Sequence, residues 1–218
     1  MFEGFSPETV DFLWGIRLNN NREWFLEHKK DYQKYLYEPM KALGAELFEP
    51  FLDQTGTVLK VSRIYRDARM HHPTPYKESL WISIRQDVEW WAENPCQFFD
   101  ITPEGVNYGL VFWKPKAAAM EAFRKEIARD PDTFLKLLKQ TEKAVGMPVS
   151  AQHYKRPKPC DNPKLAEFYA WKDGICCIRH EDFGDNTFSA ELMPRAREFI
   201  TALTPLTQYF CRFGGQQG

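Results

Sequence analysis

The chain lacks the marks of several familiar protein classes. Its five cysteines (Cys96, Cys160, Cys176, Cys177 and Cys211) are odd in number and form no Cys-x-x-C pair. That argues against a disulfide framework or a zinc ribbon and reads as reduced core thiols. The opening Met1-Phe2-Glu3-Gly4-Phe5 has no basic stretch leading into an apolar run, so no secretory leader is expected. No window approaches the roughly 18–20 apolar residues that cross a bilayer, and the expected compartment is the cytoplasm. Net charge is missing as well: 29 basic and 30 acidic residues leave −1, which rules out the globally basic profile of a nucleic-acid binder. There is no H-E-x-x-H and no Cys/His zinc spacing, so no metal site is expected. Without G-x-S-x-G, G-x-G-x-x-G or a Walker loop, nothing marks a nucleophile elbow or a nucleotide cradle, and no cofactor is indicated.

Rings are abundant: 17 Phe, 9 Tyr and 7 Trp give an aromatic share of 15% in 218 residues. A chain of this length buries roughly 70% of its unfolded surface and needs no metal or cross-link to hold a core. Ser6 with Pro7 marks a helix start, with Phe5 and Val10 placed as a hydrophobic staple, and Asn19-Asn20-Asn21 marks its stop. Asn20 and Glu23 then read as an Asn variant of the capping box. Phe25, Tyr32, Leu36, Met40, Leu43 and Leu47 form the stripe of a second helix that Pro39 must kink or divide. From Thr57 the period becomes two. Leu59 and Val61, then Leu80, Ile82 and Ile84, alternate as strand faces. Residues 98–102 and 106–113 flank a Pro103-Glu104-Gly105 turn and predict a hairpin. Helices are expected over 116–129, from Asp130-Pro131, and around 192–203, with a strand over 174–180. Residues 148–163 hold four prolines and read as an irregular loop inside one domain spanning 1–218. The whole predicts a single compact α+β domain, a mainly antiparallel sheet packed against N-terminal and later helices.

Charge is blocked locally. Residues 60–77 carry Lys60, Arg63, Arg66, Arg69 and Lys77 against Asp67 alone, while 86–107 carry five acids and no Lys or Arg. Mutual neutralisation across neighbouring strands is one reading. The other is an anion site. In an extended segment Arg63, Tyr65, Asp67 and Arg69 share a face, with Arg66 opposite. Guanidinium groups around a phenol suit a carboxylate or phosphate. Tyr76 and Lys77 add a phenol and an ammonium. Glu23, a cap by position, and Asp67, held ionised by arginines, are the acid/base candidates should the protein be an enzyme.

The blocks Asn19-Asn20-Asn21-Arg22-Glu23-Trp24-Phe25, Arg63-Ile64-Tyr65-Arg66-Asp67-Ala68-Arg69 and Pro75-Tyr76-Lys77 resemble the signature segments of the conserved domain of unknown function 2461 family. Gly109, Trp113 and Pro115, and Tyr154-Lys155-Arg156-Pro157, are similar to its later blocks. Where the family usually has Lys-Ser before Pro-Tyr-Lys, this chain has His71-His72-Pro73-Thr74, so a cation of that loop is missing unless a protonated His replaces it. The resemblance implies one compact domain and supplies no activity.

The reading is an anionic small molecule held by Arg63, Arg66, Arg69 and Lys77, with Arg22 and Arg156 as outer donors and Trp24, Tyr65 and Tyr76 as walls. Catalysis is left open. The alternatives are a nucleic-acid module on 60–77 and 152–164, a protein-interaction domain, or arginines that only fix the sheet register. Oligomeric state is not legible.

Overall fold

The computed structural model describes residues 1–67 and 73–215 of the chain. The fold is α+β, with a six-stranded antiparallel sheet in the order β1-β2-β3-β4-β6-β5. Its strands are β1 (Thr57–Val61), β2 (Leu80–Gln86), β3 (Pro95–Thr102), β4 (Gly105–Phe112), β5 (Ser150–His153) and β6 (Trp171–Asp182). The chain resolves into two compact units, each assembled from separated stretches. Among the described residues no helix is long and apolar enough to cross a membrane.

The first unit comprises Met1–Ile84, Phe98–Tyr108 and Arg179–Glu198. It opens with α1 (Pro7–Leu18), whose N-cap Ser6 donates its backbone N–H to Thr9 Oγ1 at 3.1 Å while Pro7 takes the first turn. Asn19 ends α1 by returning both its backbone N–H and its Nδ2 to the Gly15 carbonyl, at 2.9 and 3.1 Å. The next cap is Asn21, not Asn20: Asn21 Oδ1 accepts from Trp24 N at 2.9 Å and starts α2 (Arg22–Glu27). After the short α3 (Lys29–Asp31), a π-helical turn over Tyr32–Tyr37 leads into α4 (Glu38–Phe48), with Pro39 in its first turn. The proline divides the stripe as its missing N–H requires.

The stripe residues Phe25, Tyr32, Leu36, Met40, Leu43 and Leu47 are all buried. Leu80, Ile82 and Ile84 of β2 face this helical layer, and Gly44 of α4 leaves room for Ile82, whose Cδ1 would lie 3.4 Å from an added Cβ. On β3 and β4, Phe99 stacks on Phe5 at 6.1 Å and on Tyr108 at 6.0 Å. By strand alternation, Trp81 and Ser83 of β2, Asp100 of β3, Asn107 of β4 and His180 of β6 project from the opposite face.

The second unit comprises Arg85–Gln97, Gly109–Ile178 and Phe199–Gly218. It contains α5 (Ala117–Arg129), α6 (Pro131–Val145), α7 (Ala166–Ala170) and the later turns of α8 (Leu192–Cys211). Asp130 Oδ1 accepts from Thr133 N at 3.2 Å to cap α6, and Gly146, at φ 70°, closes it in the left-handed conformation. Phe123 sits at the centre of an aromatic core, edge-on to Phe134 (5.2 Å), Phe210 (5.7 Å) and Phe213 (5.8 Å) and stacked on Trp171 (6.2 Å).

The proline-rich stretch lies wholly in this unit and differs from the irregular loop expected over 148–163. Ser150–His153 forms β5 and pairs antiparallel with β6 through Ser150↔Cys176 and Gln152↔Asp173. Four residues carry too little pattern to declare a strand locally; pairing with β6 supplies it. The five cysteines are unpaired. Burial raises the thiol of Cys96 to about 12 and that of Cys211 to about 11.

Candidate functional site

The basic segment is extended where the alternation places it. The regular strand ends at Val61, but pairing resumes beyond: Arg66 N donates to the Pro75 carbonyl at 2.9 Å, Lys77 N to the Ile64 carbonyl at 2.7 Å, and Tyr65 bridges Tyr76. Ile64 is buried, while Arg63, Tyr65 and Asp67 are exposed and Arg66 is half-buried. Arg69, His71 and His72 lie outside the described residues.

Asn20 carries a role that its reading as a cap missed. Its Nδ2 donates to the Tyr76 carbonyl and its Oδ1 accepts from Tyr76 N, both at 3.0 Å. The amide thus acts as one more peptide in the ladder and ties the first signature block to the third. Phe25, from the first block, stacks on Tyr76 at 4.2 Å and meets Tyr65 at 5.7 Å and Tyr32 at 5.6 Å. The Asn triplet was the available signal, but a second ring of hydrogen bonds across 56 residues of sequence is invisible to local spacing.

Four phenols gather here. Burial raises Tyr32 well above the ordinary tyrosine range, helped by Tyr37 and Tyr65 and opposed by the Ile64 backbone N–H. Tyr76 is raised too, first by burial and then by Tyr65, with Arg22 opposing. Arg22 is itself exposed on the first turn of α2, as is Glu23.

The cations divide into two sets. Arg66 is held: it donates to Thr74 Oγ1 at 2.9 Å and faces Glu78 at 3.7 Å. Glu78 in turn accepts from Arg17 Nε at 2.8 Å, and Arg17 also pairs with Glu104. The acidic block therefore finds Arg17 of α1 for Glu104, and, in the second unit, Lys116 for Glu93 at 2.8 Å. Arg63 and Lys77 are not held in this way. Lys77 Nζ donates to the Arg63 carbonyl at 2.7 Å, and among the described residues no carboxylate pairs with either side chain. Burial lowers the Lys77 pKa below the ordinary lysine value, and Arg63 and Arg66 push it the same way.

Trp24 and Arg156 each have surroundings of their own. Trp24 packs over Gly15, where an added methyl would run into the indole, and stacks on His28 at 4.0 Å. It lines a cavity of about 380 Å³ with Glu8, Asp11, Phe12, His28, Asp31 and Tyr35, a wall of three carboxylates and four rings. Arg156 belongs to the second unit, exposed after β5. Among the described residues no group of three His, Cys, Asp or Glu is arranged to hold a metal.

A family model described as conserved hypothetical protein (DUF2461) matches residues 8–209, nearly the whole chain, and the chain belongs to that family. No curated protein matches it.

Proposed function

For this member of the family we propose binding of an anionic small molecule, phosphate- or carboxylate-bearing, at Arg63 and Lys77, with Tyr65 and Tyr76 as walls and Arg22 as an outer donor. The observation that carries the reading is Lys77, half-buried, beside two arginines and, among the described residues, without a carboxylate partner. Three cations crowded this way repel one another, and an anion relieves that repulsion while supplying acceptors to their N–H groups. Arg66 contributes charge from its place between Thr74 and Glu78 rather than a free fork. Five unpaired thiols suit a reducing compartment, the cytoplasm.

The test is thermal denaturation in increasing inorganic phosphate, with chloride at matched ionic strength. Phosphate at 100 times its Kd stabilises by about 2.7 kcal/mol. Replacing Arg63 and Lys77 together by Gln should abolish that gain while leaving the circular dichroism spectrum intact. A gain that survives the double replacement moves the site elsewhere. Oligonucleotide binding that weakens steeply with salt would replace the small-molecule reading by a nucleic-acid one.

A further inference from the structure

The cavity beside Trp24 combines two chemistries that neither the fold nor the anion site explains. From α1 come the exposed carboxylates of Glu8 and Asp11 and the buried ring of Phe12, and from α3 comes Asp31. Trp24 of α2, His28 and Tyr35 complete the wall with half-buried rings. All of these residues belong to the first unit. The volume of about 380 Å³ falls within the roughly 300–1,000 Å³ of small-molecule sites. The ion pairs of the neighbouring helices use other acids, Glu78 for Arg17 and Glu38 for Lys41. Among the described residues no Lys or Arg pairs with Glu8, Asp11 or Asp31.

The rings are held in place. The Trp24 indole stacks on His28 at 4.0 Å with the planes 12° apart, meets Phe12 at 5.6 Å, and fills the space that Gly15 leaves. His28 Nδ1 lies 2.9 Å from the Trp24 carbonyl, which only accepts, so Nδ1 carries a hydrogen and the imidazole is fixed on its own helix. Thr9 Oγ1 donates to the Tyr35 carbonyl at 2.6 Å. One ammonium of the chain already favours this wall. Lys34, exposed, has its Nζ 4.6 Å from the Tyr35 ring centroid and 3.0 Å from the Tyr35 hydroxyl. Tyr35 first, and then Glu8 and Asp31, hold its pKa above the ordinary lysine value. Lys34 brings one positive charge to three carboxylates, so negative charge is left over in a cleft that concentrates its field. Aromatic faces attract the same sign of ligand.

We propose that this cavity binds a small organic cation, an alkylammonium group seated against the rings of Trp24 and Tyr35 and neutralised by Glu8, Asp11 and Asp31. The same carboxylates repel an anion, so Trp24 serves this site and not the one at Lys77. The cation site does not depend on the anion reading.

The test is NMR of the full chain, following the Trp24 indole N–H signal, which is assigned by its loss in Trp24→Phe. Putrescine dihydrochloride and tetramethylammonium chloride are the probes. Sodium chloride at equal ionic strength and 1,4-butanediol, which has the chain without the charge, are the controls. A saturable shift is expected, and the tighter probe tells whether the ligand's ammonium is primary or fully alkylated. Asp11→Asn combined with Asp31→Asn should weaken binding by about tenfold or more. Glu8→Gln with Asp11→Asn, both exposed, covers the event that the first pair fails to fold. Lys34→Gln should strengthen binding several-fold, because it removes a like charge beside the ligand. The proposal is overturned if neither probe saturates, or if butanediol or sodium chloride acts equally. It is overturned too if binding survives both double replacements or is weakened by Lys34→Gln. Only chloride accompanies these probes, so failure here leaves the phosphate experiment standing.

Discussion

Two carboxylates in the two units respond to folding in opposite directions. Glu126, in the second unit, accepts from Arg129 at 3.0 and 2.7 Å and from Arg212 at 2.7 Å, and these arginines hold its carboxyl down to about 2. Asp100, in the first, is raised by burial even though Asn107 and His180 beside it favour the charged form. The aromatic residues divide likewise. Around Phe123 the rings are mainly phenyl groups, Phe134, Phe210 and Phe213, with the Trp171 indole stacked beside them. Around Phe25 they are mainly phenols, set among Arg22, Arg63 and Lys77. The second unit pairs the surface carboxylate of Glu126 with two arginines and fills its interior with rings, although Trp171 Nε1 and Arg85 Nε there are buried without a hydrogen-bond partner among the described residues. The first unit crowds Lys77 with two arginines and, among the described residues, gives it no carboxylate, and such unmet charge is what ligands satisfy.

The comparison breaks most visibly at Phe123. Phe123→Ala should cost about 3–5 kcal/mol in urea denaturation, while the phosphate response of the folded protein stays unchanged. Next is Asn20→Ala, which strips the Tyr76 backbone of two hydrogen bonds and should cost about 1–3 kcal/mol. Here the phosphate response should weaken as well, because Asn20 positions Tyr76 and Lys77. Loss of stability with an unaltered response would mean that the clamp serves the fold alone.

Asp100→Asn should act in the other direction. The folded Asp100 carboxyl keeps its proton to higher pH than the unfolded one, so its contribution to stability falls as pH rises through that interval. At pH 7 the replacement removes a buried charge and should raise Tm by roughly 2–4 °C, a gain that shrinks on acidification towards the unfolded aspartate value near about 4. A Tm that drops at pH 7 would show that the carboxylate has partners satisfying it. The smallest effect belongs to Glu126→Gln. Its folded pKa is depressed, so its stabilisation is present above the unfolded value and is lost as pH falls towards about 2. The variant should flatten the Tm-against-pH curve between the ordinary glutamate value of 4.5 and about 2 and leave neutral pH nearly unchanged.

Much of this contrast was legible residue by residue. The period of two marked Ile82 and Ile84 as an inward face, and the stripe from Phe25 to Leu47 named the helical layer that covers it. The alternation of Arg63, Tyr65 and Asp67 outward against Ile64 inward also followed from local pattern. Other features did not. Glu23 lies in the first turn of α2, but the cap beneath it is Asn21, and Asn20 is spent on Tyr76. Trp24 turns towards Glu8, Asp11 and Asp31 because Gly15 makes room for it there, although Trp24 is next to Arg22 in sequence but one. The strand expected over 174–180 runs on to Asp182, and its His180 meets Asn107 from 73 positions away.

The sequence by itself determined the class of fold, the inward faces, the bounds of most elements, and the segment where positive charge is concentrated. These depend on period, capping chemistry and composition, which act over a few residues. Tertiary structure alone decided which charges are neutralised and which are left over. That choice turns on partners brought in from other elements: among the described residues Glu78 meets Arg66 and Arg17, but no carboxylate meets Lys77 and no hydrogen-bond donor meets Asp100 Oδ1. Electrostatic and hydrogen-bond energies depend on distance and burial rather than on position in the chain, so the site became visible only once the strands were laid side by side.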